Sequence, residues 1–296
     1  MPNHENQSDK KCRISNKELN LVLDFGMQPL GNAFLSHQEF DSEYFYPMKV
    51  GFCNESKMFQ LIEQPEPKKM FHENYAFFSG TSKKMGQHFE KFSQSIINSE
   101  YFSNPNPFVV ELGCNDGIML KNFANRKISH LGVEPSKNVA DEAKKIGINT
   151  LVDFFNLLTA KKILDQYGQA DAILAANVMC HIPDIKNVVE GMKLLLSPKG
   201  IIVFEDPYLG DVITKTSYDQ IYDEHVFLFS GMSIKNLFNL YDLELIDMEK
   251  QETHGGSMRY ILAHKNQYPI SSRLEKIFQF EEELGLGDYQ KFKKFS

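Results

Sequence analysis

The stretch that most constrains this chain is Phe108-Val-Val-Glu-Leu-Gly-Cys-Asn-Asp-Gly117, followed by a second acid at Glu134. The apolar run Phe108 to Val110 predicts a buried parallel strand, because both of its faces are apolar. Gly113 and Gly117 then permit a tight turn and a close approach of backbone to a ligand, where a Cβ would clash. A helical pattern follows, with Ile118, Met119 and Phe123 apolar, and its positive end would face whatever sits over the glycines. A second apolar strand, Leu131-Gly-Val133, delivers Glu134 to its carboxyl edge, 21 residues after Gly113. A carboxylate there accepts ribose hydroxyls in nucleotide-binding α/β folds. The bland alternative is a glycine-rich turn with no ligand.

Spacing narrows the choice of nucleotide. Dinucleotide folds use Gly-x-Gly-x-x-Gly to seat a pyrophosphate on helix amides. Here the pattern is Glu111-x-Gly113-x-x-x-Gly117, which resembles the first motif of class I S-adenosylmethionine-dependent methyltransferases. The resemblance implies S-adenosylmethionine as cofactor. Its expected binding residues are Glu111, Gly113, Asn115, Asp116, Gly117, Glu134 and Pro135, with Asp153, Phe154 and Asn177 from the neighbouring strand ends. Another nucleotide is the competing ligand.

At 296 residues the chain can bury a large core in one or two domains. A net charge of −7 argues against a general nucleic-acid surface. No apolar run approaches the ~18–20 residues of a membrane span, and the polar start Met-Pro-Asn-His-Glu-Asn is no signal peptide. Four cysteines in a chain of this size suggest no disulfide framework. A reducing, cytoplasmic setting is expected, for a monomer or weak dimer.

Residues 1–11 read as a disordered polar tail. Over 12–68 the chain reads as short β pieces: Leu19 to Leu23, Met48 to Phe52 and Met58 to Ile62. Cys12 and Cys53 stand where a zinc ribbon would start its two Cys-x-x-Cys knuckles, but the partner positions are Ser15 and Ser56. Two thiolates do not close a tetrahedral zinc site, and serine is a poor ligand. A degenerate, metal-free module is therefore expected, with zinc doubtful. Residues 69–106 hold an aromatic loop and a helix through Met85, Phe89, Phe92, Ile96 and Ile97. A Rossmann-like core is expected over 107–265. Its further pieces are a strand from Thr150 to Phe155, a strand from Ala170 to Val178 and a helix from Asp184 to Leu196. Pro198 and Gly200 should stop that helix before strand Ile201 to Phe204.

Doubly wound parallel sheets bind ligands beyond the carboxyl ends of their strands, and three motifs fall on that edge. Asn177-Val-Met-Cys-His-Ile-Pro-Asp184 leaves the fourth core strand and aims His181 at the cofactor's reactive end; a structural histidine would fit equally. Tyr218 to Ser230 packs two tyrosines, three acids and His225 among apolar residues. Histidine takes a proton near neutral pH, and a neighbouring carboxylate can orient it, so this stretch reads as catalytic. Thr253-His-Gly-Gly-Ser-Met-Arg259 opens the strand Tyr260 to Ala263. His254 and Arg259 there could hold an anionic group, or the segment is a hairpin turn.

Taken together, the chain resembles the sugar C-methyltransferases that act on nucleotide-linked 4-keto-deoxyhexoses. The marks are Gln28 to Leu35, Tyr75 to Ser79, Glu111 to Gly117, Asn177 to Asp184, Tyr222-Asp-Glu-His225 and Thr253 to Arg259. The resemblance implies an N-terminal zinc module, a central class I methyltransferase domain and a C-terminal domain of which 266–296 would be only the helical start. It implies His225 as general base; Tyr222, Glu224, His181 and Tyr75 complete the expected catalytic set. Phe78, Ser79, His254 and Arg259 would meet a nucleotide-diphosphate sugar. The rival readings are an O- or N-methyltransferase on a small molecule, or a cofactor-binding relative without activity.

Overall fold

The computed structural model describes residues 11–32, 35–65 and 78–295. Its larger sheet has seven strands, built outward from β4 (Phe108–Leu112). On one side lie β5 (Ser129–Val133) and β6 (Thr150–Leu151); on the other lie β7 (Ala170–Ala176) and β8 (Leu196–Pro207). All of these pairs are parallel. Beyond β8 the sheet turns antiparallel through β11 (Ser257–His264), which pairs with the edge strand β10 (Leu243–Gln251). This is the class I methyltransferase variant of the Rossmann-like α/β fold.

Strand alternation explains why helices cover both faces. Val110, Leu112, Ile173, Ala175, Ile202 and Phe204 fall in one apolar cluster. Their neighbours Val109, Ala172, Leu174, Ile201 and Val203 fall in another. A period of two thus divides each strand between the two faces. The first face is covered by α4 (Leu157–Tyr167), α5 (Ile185–Leu195) and α7 (Gly231–Asn239), through residues such as Ile163, Val188 and Leu237. The second is covered by α1 (Lys83–Ile97), through Phe89, Phe92 and Ile96, together with Phe123.

Several local expectations are corrected. The helix after Gly117 shrinks to α2 (Lys121–Ala124). Asn122 ties its amide to the Ile118 and Met119 carbonyls, and the amides of Asn122 and Phe123 bond three residues back instead of four. So short a helix offers no dipole to a ligand. The strand expected to reach Phe155, which follows α3 (Lys137–Lys145), stops at Leu151, because its partner β5 ends at the facing Val133. The helix α5 ends at Leu195, because Leu196 is already extended. Pro198 and Gly200 therefore lie within β8, opposite a register irregularity between Ala170 and Ala172.

The N-terminal module is a second sheet of β1 (Asn20–Pro29), β2 (Phe45–Phe52) and β3 (Phe59–Leu61), all antiparallel. Its fourth strand, β9 (Phe227–Leu228), comes from the core chain immediately after His225. Leu209 and Val212 of α6 (Leu209–Lys215) join Val50, Phe52 and Phe59 in its apolar cluster. Two last helices, α8 (Ser272–Leu284) and α9 (Tyr289–Phe295), pack back onto this assembly. Phe292 lies 4.7 Å from Phe52 and 5.3 Å from Phe59, ring to ring. On α8, the buried Glu281 accepts the amides of Gly231 and Met232 and the hydroxyl of Tyr208, capping the start of α7.

Candidate active site

At the carboxyl edge of β4 and β5, three acids face one another. Glu111 is buried and accepts the Leu120 amide, yet its Oε2 has no hydrogen-bond partner among the described residues. Burial first, then the charges of Glu134 and Asp116, push its carboxyl well above the usual range. Glu134, also buried, takes the amides of Asn115 at 3.0 Å and Ser136 at 2.9 Å. Burial outweighs those bonds and raises its carboxyl as well. Asp116 keeps Oδ1 buried without a partner among the described residues.

Asn115 and Asp116 have a further task. Asn115 Oδ1 accepts the Ser79 amide at 3.0 Å, and Asp116 Oδ2 accepts the Gly80 amide at 2.8 Å. They tie the segment before α1 over the strand edge. Asn115 and Asn177 both stand at positive φ, +48° and +58°, which asparagine tolerates better than most residues. The two glycines also serve the protein's own packing. A Cβ on Gly113 would stand 2.4 Å from Val178, and one on Gly117 would stand 2.9 Å from Ile148. Asp153 holds Lys162 and Thr159, while Phe154 is exposed on the rim. Ser79, Met85, Phe89, Asn177, Glu205 and Ser257 line a pocket between α1 and the ends of β7 and β8.

The second half of the site lies at the loops after β7 and α6. His225 is buried, and its Nδ1 stands 2.7 Å from the Gln220 carbonyl. A carbonyl can only accept, so Nδ1 carries the hydrogen and Nε2 of the neutral ring carries the lone pair. The His181 ring stacks on His225 with centroids 5.2 Å apart, and the Tyr222 ring lies 4.3 Å away on a tilt of 56°. Glu224 accepts the side-chain amide of Asn32 at 2.6 Å, and Asp223 accepts the Gly31 amide at 3.1 Å. The group orienting the His225 Nδ1–H is thus the Gln220 carbonyl, while Glu224 clasps the N-terminal module. Burial raises both carboxyls.

Arg259 is corrected as an anion receptor. Its guanidinium is buried over the Phe92 ring and spent on Glu205 at 2.9 Å and Glu249 at 3.4 Å. The segment around it is the turn between β10 and β11, where a Cβ on Gly256 would meet Asp211 at 2.1 Å. His254 sits in that turn, and only its backbone is described. Tyr75 lies outside the described residues; Phe78 and Ser79 are at their edge.

A methyltransferase-domain family model matches residues 80–248, more than half of the chain. The chain belongs to the methyltransferase family. A second family model, described as "putative zinc binding domain", matches residues 12–71. The C-methyltransferase NovU of Streptomyces niveus is 29% identical over 250 residues, covering 84% of this chain and 59% of that protein. The chain therefore spans about three fifths of that relative's length. A ubiquinone biosynthesis O-methyltransferase of Colwellia psychrerythraea is 22% identical over 98 residues, 32% of this chain and 40% of its own length. Among solved structures, an S-adenosylmethionine-dependent methyltransferase from Clostridium acetobutylicum is 14% identical, with a TM-score of 0.47 over 60% of this chain and 92% of its own.

The methyltransferase takes S-adenosylmethionine, and the acids at its strand edge fit that molecule. Buried acceptors lacking donors suit a ligand that brings an ammonium, a sulfonium and ribose hydroxyls. A pyrophosphate would meet three carboxylates there instead of donors. The zinc module fits its metal less well. The four knuckle positions do converge: Cys12 Sγ lies 3.1 Å from Ser56 Oγ, and Ser15 Oγ lies 3.2 Å from Cys53 Sγ. The two thiols also bond each other; that bond and burial raise the Cys12 thiol, while the same bond and the two serine hydroxyls lower Cys53. Two sulfurs and two hydroxyls make a hydrogen-bonded cluster, not a closed zinc tetrad.

Sequence reasoning missed four contributors to the candidate site. Gln220 supplies a backbone carbonyl, which no side-chain pattern announces. Asn32 was visible only inside the Gln28 to Leu35 motif. Glu205 carries His88 and Arg259: against its burial, the His88 hydrogen bond and then the Arg259 charge lower its carboxyl. Asp206 is fully buried and pushed up to about 7 by burial. An acidic pair ending a buried strand is the signal that could have flagged both.

Proposed function

We propose that this methyltransferase places a methyl group on the carbon beside the ketone of a nucleotide-linked 4-keto-deoxysugar, by way of an enolate. The observation that carries the reading is His225: buried, fixed in one tautomer by Gln220, stacked on His181 and flanked by the tilted Tyr222 ring on the loop side of the strand edge. The similarity to a C-methyltransferase over 84% of the chain supports the carbon acceptor.

S-adenosylmethionine supplies the electrophilic methyl when bound. Glu134, Glu111 and Asp116 hold its donors at the strand edge. A carbon beside a carbonyl is acidic enough for a histidine to deprotonate, and His225 Nε2 takes that proton. The Gln220 carbonyl holds Nδ1–H and steadies the imidazolium that forms. Tyr222 and His181 donate toward the enolate oxygen. Glu224, clasping Asn32, fixes the sugar side against the module. With Arg259 committed elsewhere, His254 is the remaining candidate for the diphosphate. Phe78 and Ser79 border the sugar, and Tyr75 is its expected cover.

The test is exchange of the α-proton into deuterated water with a 4-keto-sugar nucleotide. The parent enzyme should exchange and methylate; His225→Ala should lose both, with turnover down by roughly 10² or more and cofactor affinity retained. Exchange persisting in that variant would move the base to His181. Methylation of a hydroxyl without exchange would make the protein an O-methyltransferase.

A further inference from the structure

Beside the base lies a set of ligand atoms that the proposed reaction does not use as a set. Cys180, His181 and His225 each offer one atom, and the three lie within 4.8 Å of one another. We propose that these three residues form a binding site for one borderline-soft divalent cation, zinc above all, which occupies the base and blocks substrate.

The donor set is the first reason. One sulfur and two imidazole nitrogens select zinc over magnesium or calcium, and three protein ligands leave a fourth position open for exchange. The support behind the ligands is the second. Metal-bound histidines donate their other ring N–H to a carbonyl or carboxylate, and His225 Nδ1–H already does so to Gln220. On the sulfur side, Asp206 accepts the Cys180 amide at 3.5 Å and also bonds the thiol. Its second oxygen is buried without a hydrogen-bond partner among the described residues. Asp206 thus places a carboxyl group directly behind the thiol.

Geometry sets the cost. Ligands of a tetrahedral zinc, at about 2.0–2.3 Å from the metal, stand about 3.3–3.8 Å apart. The cluster must therefore close by about an ångström at its widest. His181 is only partly buried, on a short turn, and can rotate to do so. A dipositive ion at the sulfur displaces its proton to solvent. The metal then holds the Nε2 lone pair that would otherwise take the substrate's proton. This blocking role rests on His225 being the base; the site itself does not.

Cobalt(II) distinguishes the two. Titrated into chelator-treated full-length protein, it should give one equivalent with a sulfur-to-cobalt absorption band in the near ultraviolet. Zinc should displace it. The band should vanish in Cys180→Ser and weaken at least tenfold in affinity in His181→Phe, and survive in Cys12→Ser/Cys53→Ser. Circular dichroism checks each fold, and two single variants guard against one that fails. Zinc should inhibit turnover competitively with the sugar substrate, with at least a tenfold weaker effect in Cys180→Ser. A band absent from the parent, or lost with Cys12 and Cys53 instead, overturns the site. A band without inhibition leaves the site standing and removes His225 as base.

Discussion

The cofactor side and the proposed substrate side of the candidate site are assembled over different distances along the chain. Glu111, Asp116 and Glu134 belong to one strand–turn–strand unit, and the turn that carries them bonds within itself and to Ser79 and Gly80. His225 depends on distant parts. The strand following it pairs with β3 of the N-terminal module, and Glu224 and Asp223 reach Asn32 and Gly31 across 192 residues. That module is closed in turn by Phe292, near the other end of the chain. The difference teaches that damage to the module should reach the chemistry before it reaches cofactor binding.

The strongest way to break the comparison is Phe292→Ala. The ring is buried between Phe52 and Phe59, and removing it should cost about 3–5 kcal/mol in denaturant unfolding. Under folding conditions turnover should fall while calorimetric cofactor affinity stays near the parent's. An equal loss of both would show that the two sides are not separable.

Next comes pH. Glu281 ties α8 to the start of α7, and burial raises its carboxyl from 4.5 to about 7 despite bonds from Gly231, Met232 and Tyr208. A raised acid binds more protons folded than unfolded. Its contribution is therefore full below pH 4.5 and lost as pH rises through about 7, on the order of 3 kcal/mol. Unfolding free energies at pH 5 and pH 8 should differ less in Glu281→Gln than in the parent. Parallel pH profiles would remove Glu281 as the cause.

On the cofactor side, Glu134→Ala should weaken binding by about 1.5–3 kcal/mol, the value of hydrogen bonds to a charged group. Turnover at saturating cofactor should remain. Unchanged affinity would take Glu134 out of the site. The smallest effect sharpens the picture of Glu111, whose carboxyl is held high by burial and by its acidic neighbours. A cationic ligand lowers it again, so binding should release a fraction of a proton. Calorimetry in buffers of different ionisation enthalpy reads this, and Glu111→Gln should abolish it.

Among the described residues, no helix is long and apolar enough to cross a membrane, in line with the sequence's lack of such a run. The core order was legible because buried parallel strands and amphipathic helices differ in period. The lengths of β6 and α2 were not, because local hydrogen bonds such as those of Asn122 decide them.

By itself the sequence determined the doubly wound core and the acidic strand edge, and it put forward His225 as a candidate base, because strand period, glycine spacing and residue chemistry are local properties. Only the tertiary structure decided that Arg259 is spent on Glu205, that Gly113 makes room for Val178, that Asn115 and Asp116 tether Ser79 and Gly80, and that Gln220 orients His225. Each of these depends on a partner that only folding brings within hydrogen-bond or van der Waals reach. A charged or small residue looks the same in sequence whether that partner is a ligand or the protein itself.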